Sequence, residues 1–274
     1  MSINPLKQYF RRPAIYLTLP SKGKDYPIGV IDFPENGELP VYPMTAIDEI
    51  TAKTPDALFN GNAVADLIKS CVPNIKDPWK VSSTDLDSIL LAIKAASGTS
   101  NLEIDSSCPK CKEQATYTIN LVAILSTLTS PDYSTTLDVG ELKIKFGPLT
   151  YNEMNEAGLA QFEVQKMFTS VDQLLEEKAR IEKTKDALLA VTEVTMNLIA
   201  KTIQYIETDS IRVDNIEHII EFLKNCDKNV YISIRDYHAK LKSSTEIKPL
   251  EIKCSNCEHE YKQPFTLNVS DFFG

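Results

Sequence analysis

Cys108-Pro109-Lys110-Cys111 and Cys254-Ser255-Asn256-Cys257 are two C-x-x-C units. Two intervening residues let both sulfurs of a unit turn toward one point, and two such units supply four thiolates, the number a tetrahedral structural zinc takes. Compact zinc ribbons leave 15–20 residues between the pairs, whereas roughly 140 intervene here. The flanks supply what the spacing lacks. Leu102-Glu103-Ile104 precedes the first unit and Thr118-Ile119-Asn120-Leu121 follows it; Leu250-Glu251-Ile252 and Thr266-Leu267-Asn268-Val269 bracket the second. The interval from Leu102 to Asn120 equals that from Leu250 to Asn268, and the cysteines sit two places earlier in the second unit. A shift of two keeps strand parity, so the same side chains face the same way. The pattern predicts an internal duplication: two hairpins about an approximate twofold axis, sharing one metal at their tips.

Thiol–disulfide chemistry is a competing reading, but such enzymes place C-x-x-C at a helix start within a βαβ unit. Two separate, incomplete sites and a metal-free chain are also compatible with the spacing. Zinc at Cys108, Cys111, Cys254 and Cys257 would be structural, because four thiolates leave no position for water or substrate. His259 could in principle replace one thiolate; it reads as an exposed turn histidine. Cys71 and Cys226 lie in apolar helical patterns and read as small buried hydrophobes.

The elements that must position the cysteines follow from pattern. Residues 1–45 are extended, with strands at Ala14–Leu19 and Leu39–Tyr42 and a turn at Pro20–Gly23. Residues 45–98 are helical: Thr54-Pro55 opens one helix, Asn62 caps a second bearing Val64, Leu67, Ile68 and Cys71, and Ser83 caps a third bearing Leu86, Ile89, Leu90 and Ile93. Strands are expected at Leu102–Ile104, Ala115–Leu121 and Leu142–Phe146. The chain is then helical from Thr150 to about Ser243, including a long charged stretch, Val171–Ile206, and a helix capped by Asp214. Leu250–Ile252 and Phe265–Val269 form the arms of the last hairpin. In the charged stretch Leu174, Ile181 and Leu188 recur every seven residues, as do Val191 and Leu198. Its later half is expected to pack on the 214–242 helices and its earlier half, Val171–Lys185, to meet a partner.

With 29 Lys and Arg against 38 Asp and Glu, the chain has a formal charge of -9. That balance disfavours nucleic acid and a polybasic membrane anchor. No stretch approaches the ~20 apolar residues of a spanning helix. Met1–Phe10 lacks a signal-peptide core, which points to the cytosol or to a virion protein assembled there, where cysteines stay reduced. No G-x-S-x-G, H-E-x-x-H, Walker A or G-x-G-x-x-G is present, and there are three histidines and nine glycines. Asp48-Glu49 after Thr45 reads as first-turn capping, not acid–base chemistry. No enzyme is expected.

Four strings occur in order: Leu19-Pro20-Ser21-Lys22-Gly23-Lys24-Asp25-Tyr26; Met44-Thr45 with Asp48-Glu49; Thr54-Pro55-Asp56-Ala57-Leu58 with Asn60-Gly61; and Cys71-Val72-Pro73. Together, over roughly residues 15–150, they resemble the baseplate hub subunit family of T-even-like contractile-tailed bacteriophages. The resemblance implies a non-enzymatic structural part in the virion's tail baseplate, assembled in the host cytoplasm within a symmetric hetero-oligomer of other baseplate and hub proteins. It implies no small-molecule substrate. A hub assembly chaperone absent from the mature virion and a zinc-ribbon adaptor are the competing roles.

The expected fold is α+β: a zinc-ribbon-like pair of β-hairpins with a long helical insertion, plus an N-terminal extended/β segment followed by helices. The expected division is 1–100, an N-terminal β and helical domain; 101–149, the first knuckle hairpin and following strands; 150–243, the helical insertion; and 244–274, the second knuckle hairpin.

Overall fold

The computed structural model describes residues 4–24, 26–54, 61–98, 100–172 and 177–265. The chain forms two compact units, one from residues 1–130 and 245–274, the other from residues 131–244. The fold is α+β, with helices and small antiparallel sheets.

In the first unit β1 (Ile15–Leu17) pairs antiparallel with β2 (Leu39–Val41). Leu17, Leu39 and Val41 are buried there with Leu19. α1 (Ala46–Ala52) starts in a capping box: Thr45 accepts from the Asp48 amide, while Asp48 accepts from Thr45. Asp48 therefore does cap, and Glu49 lies beside it in the first turn. The first turn of α2 (Asn62–Cys71) follows Gly61, whose φ of 78° only glycine adopts cheaply, so Asn62 is the first helical residue and not the cap. α2 buries Val64, Leu67, Ile68 and Cys71 on one face. α3 (Ser83–Ala96) is capped by Ser82, one residue ahead of the expected Ser83, and is buried along most of its length. The helix expected from Thr54-Pro55 lies largely outside the described residues.

Two hairpins follow the expected plan. β3 (Asn101–Ser107) pairs with β4 (Gln114–Asn120), and β9 (Leu250–Lys253) with β10 (Glu260–Gln263). Among the described residues the returning arm of the second hairpin is Glu260–Gln263; the expected strand Phe265–Val269 lies, from residue 266 on, outside the described residues. Four residues as polar as Glu-Tyr-Lys-Gln carry no hydrophobic signal, yet pairing with β9 makes them a strand. After β4, Asn120 caps α4 (Leu121–Leu125) by accepting from the Ala123 amide.

The second unit holds a four-stranded antiparallel sheet in the order β5 (Thr136–Val139), β6 (Leu142–Phe146), β7 (Ile203–Glu207), β8 (Arg212–Val213). Its helices are α5 (Tyr151–Asp172), α6 (Glu177–Thr202), α7 (Ile216–Asn225) and α8 (Lys228–Thr245). Lys201 near the end of α6 pairs with Glu156 near the start of α5 at 2.6 Å, so the two run antiparallel. The sheet and α6–α8 share one core of Ile144, Phe146, Ile199, Ala200, Ile203, Ile206, Ile219, Leu223 and Ile234.

Two expectations fail here. Helix does not continue to Ile206, because residues 203–207 are strand. The register passes from Lys145↔Tyr205 to Phe146↔Ile203, leaving Gln204 as an inserted residue. This bulge spaces the buried Ile203 and Ile206 by three, which imitates a helical period. The cap of α7 is Asn215 and not Asp214; its side chain accepts from the amides of Glu217 and His218. Among the described residues no helix is long and apolar enough to cross a membrane.

Candidate metal centre

Each knuckle is built by the same backbone bonds at the same positions. In the first, the Cys108 amide donates to the Glu113 carbonyl at 2.9 Å and the Lys112 amide to the Cys108 carbonyl at 2.9 Å. In the second, the Cys254 amide donates to the His259 carbonyl at 2.9 Å and the Glu258 amide to the Cys254 carbonyl at 3.0 Å. The residue after the second cysteine is left-handed in both, Lys112 at φ 62° and Glu258 at φ 56°. Non-glycine residues enter that region at a cost of about 1–2 kcal/mol. Repetition of this strain at equivalent positions supports duplication of the unit.

The two tips meet. Cys108 Sγ lies 3.7 Å from Cys257 Sγ, and Cys111 Sγ 3.6 Å from Cys254 Sγ. All four sulfurs lie within 4.8 Å of one another. A tetrahedron with Zn–S bonds of about 2.3 Å has edges of about 3.8 Å, so the donor set fits such an ion in chemistry and in spacing. Cys108 and Cys254 are buried; Cys111 and Cys257 are half-buried. Behind the tips the hairpins touch through Ser106, whose hydroxyl donates to Gln263 Oε1 at 2.8 Å and lies 2.9 Å from the Tyr261 hydroxyl. Ser106 and Ile252 stand two residues before Cys108 and Cys254, and both are buried, as strand parity requires.

The charge states of the four sulfurs are linked. Burial opposes ionisation of Cys108, but the amides of Cys111 and Lys110 and the neighbouring thiols outweigh it and bring the thiol down to about 7. At Cys257 the His259 amide favours the thiolate, yet burial and the other three cysteines push it up to about 12. Four thiols this close do not all ionise without a positive centre between them.

His259 is not among the clustered donors. Its ring stacks on Tyr261, with centroids 6.3 Å apart, and its carbonyl closes the knuckle. Cys71 is buried, and burial pushes its thiol up to about 11. Cys226 is half-buried at the end of α7, with its sulfur 3.7 Å from the Leu223 carbonyl.

A second polar cluster carries no distinct signal in the sequence. Asp85, fully buried, accepts from the Ser21 amide at 2.9 Å, from the Ser21 hydroxyl, and from the Tyr26 hydroxyl at 2.8 Å. Tyr26 in turn accepts from the Ser82 amide at 3.0 Å. Burial, with Asp85 beside it, raises the Tyr26 phenol far above its ordinary range. Every partner is internal, so the cluster pins Ser21 and Tyr26 onto the start of α3.

No curated protein and no solved structure matches the chain. A family model described as "T4 bacteriophage base plate protein" matches residues 13–274, extending past the four strings to include both knuckles and the whole second unit. The chain, paired cysteine hairpins included, therefore belongs to the family of T4 bacteriophage base plate proteins.

Proposed function

We propose that the chain is a structural subunit of the hub region of a contractile-tail baseplate. It acts through contacts with other baseplate proteins in a symmetric hetero-oligomer, and its ribbon is tied by one zinc ion on Cys108, Cys111, Cys254 and Cys257. The meeting of four sulfurs from two distant hairpins, in a chain of this family, carries the reading. Four thiolates would complete the coordination sphere, which suits a tie and leaves no open position for catalysis. Zinc would supply the positive centre that lets all four sulfurs ionise together. The chain's own part is to hold the two pairs at matching distance on knuckles of one design. Residues 131–244 would stand as an insertion between the ribbon's halves.

Elemental analysis of the purified chain should give about one zinc per molecule, and Cys108→Ser or Cys254→Ser should lower that content and the stability of the first unit. A metal-free wild-type chain of unchanged stability would defeat the zinc assignment. Mass spectrometry of purified tails should find the chain in the finished particle; its absence there would favour an assembly factor.

A further inference from the structure

Five of the chain's 29 basic residues and none of its 38 acidic ones lie in residues 1–24. Within that stretch, Pro5–Tyr9 forms a single 3-10 turn, started by the Leu6 amide donating to Asn4 Oδ1 at 2.9 Å. None of its residues is buried. Leu6, Tyr9 and Phe10 are all exposed, Tyr9 to 76%. The arm therefore draws no stability from burying its own apolar groups.

Its root, by contrast, is fixed. Arg11 Nη1 donates to the Pro43 carbonyl at 2.7 Å and to Asp48 Oδ2 at 3.1 Å; Nη2 donates to the carbonyl and hydroxyl of Ser70, both at 2.8 Å. The guanidinium also lies 5.9 Å from the centre of the Tyr42 ring. These bonds hold the base of the arm beside the first turn of α1. That helix turns Ile47 and Ile50 outward, exposed to 75% and 69%. Spaced by three, they share one face.

From these features we infer that the arm of residues 4–10 and the outer face of α1 form a docking surface for an acidic protein surface of another baseplate subunit. The identity of the partner class rests on the baseplate reading. Aromatic and aliphatic side chains with arginine at their edge have the composition of an interface core. Lys7 and Arg12 are not buried and form no ion pair among the described residues, so they supply the basic rim. Residues 4–12 hold Lys7, Arg11 and Arg12 and no acid, against Asp48 and Glu49 in the first turn of α1, so in a strongly acidic chain it is the basic arm that selects an acidic partner. An anionic membrane is a poorer fit: it calls for four to eight clustered cations, and Arg11 is spent on internal bonds.

The test uses the full chain, with Tyr9→Ser/Phe10→Ser and Ile47→Ser/Ile50→Ser as independent double variants. All four residues are exposed, so thermal unfolding should not change. Each remaining baseplate subunit of the same phage, purified singly, serves as probe. One acidic subunit should bind the wild type and bind each double variant about tenfold or more weakly. The same binding should weaken with added salt and with Lys7→Glu/Arg12→Glu. If both double variants bind every subunit as the wild type does while the wild type enters baseplates, the surface is wrong and the baseplate reading stands. If the wild type itself never enters baseplates, that reading fails first. Variant-sensitive binding to vesicles of phosphatidylserine and phosphatidylcholine, or variant-sensitive self-association in sedimentation, would overturn the inference in favour of a membrane or a second copy.

Discussion

Asp85 and Asp87 stand two residues apart on α3 and have opposite surroundings. Asp85 is filled with donors from Ser21 and Tyr26, whereas half-buried Asp87 has no hydrogen bond or ion pair among the described residues, and burial pushes its carboxyl up to about 6. Asp85→Asn turns a donating amide toward donors and should cost about 1–3 kcal/mol, measurable by urea unfolding. Asp87→Asn should do the reverse. A folded pKa above the unfolded one means that stability falls as pH rises from about 4 through about 6. The variant should therefore match the wild type at pH 4 and exceed it above pH 7, as thermal melts across that range would show. The same contrast explains what could be read from the chain alone. Cys108, Cys111, Cys254 and Cys257 were legible because thiolate chemistry is discrete and their spacing repeats. Asp85 was not, since its partners Ser21 and Tyr26 are some sixty residues away in the chain.

Helices with one apolar face were legible as elements, while their ends slipped by a residue wherever Ser, Asn or Asp stood in tandem. The period broke down at β7, where the Gln204 bulge imitates a helix, and at β10, where pairing and not apolarity makes the strand. On α6 the seven-residue stripe divides roughly as its charge suggests. Ile199 and Ala200 enter the core, with Leu198 half-buried beside them, whereas Ile181, Leu188, Leu189 and Val191 remain exposed. The exposed part thus reaches further along the helix than Lys185; Leu174 lies outside the described residues. Ile181→Asp with Leu188→Asp should leave the thermal midpoint unchanged, because neither side chain is packed; a loss above about 1 kcal/mol would place the stripe in a core. The turn of the 19–26 string behaves differently. Gly23 has φ 74°, and a Cβ there would come within 2.8 Å of the Phe33 ring. Gly23→Ala should therefore cost more than about 1 kcal/mol in urea unfolding.

Across the molecule, the two units differ in what closes them. Residues 131–244 surround a core of their own, while in the unit of residues 1–130 and 245–274 two hairpins meet at the four sulfurs, where the proposed zinc would tie them. A strong chelator should therefore lower the melting of the first unit and spare the second, giving two separated transitions where the zinc-loaded chain shows a smaller gap. Calorimetry with and without chelator would decide it, and identical traces would argue against a tie.

The long separation of the two C-x-x-C units bears on how the chain is made. Synthesis runs from the first residue onward, so Cys108 and Cys111 emerge as half a ligand set and wait while everything up to Cys254 is added. A pair of thiolates is a weak, open site; four make a closed one. With zinc as proposed, capture of the ion would therefore wait until Cys257 has been added. Any product that stops short of Cys257 would lack the closed site, so a filled tetrahedron would report that translation has passed that residue.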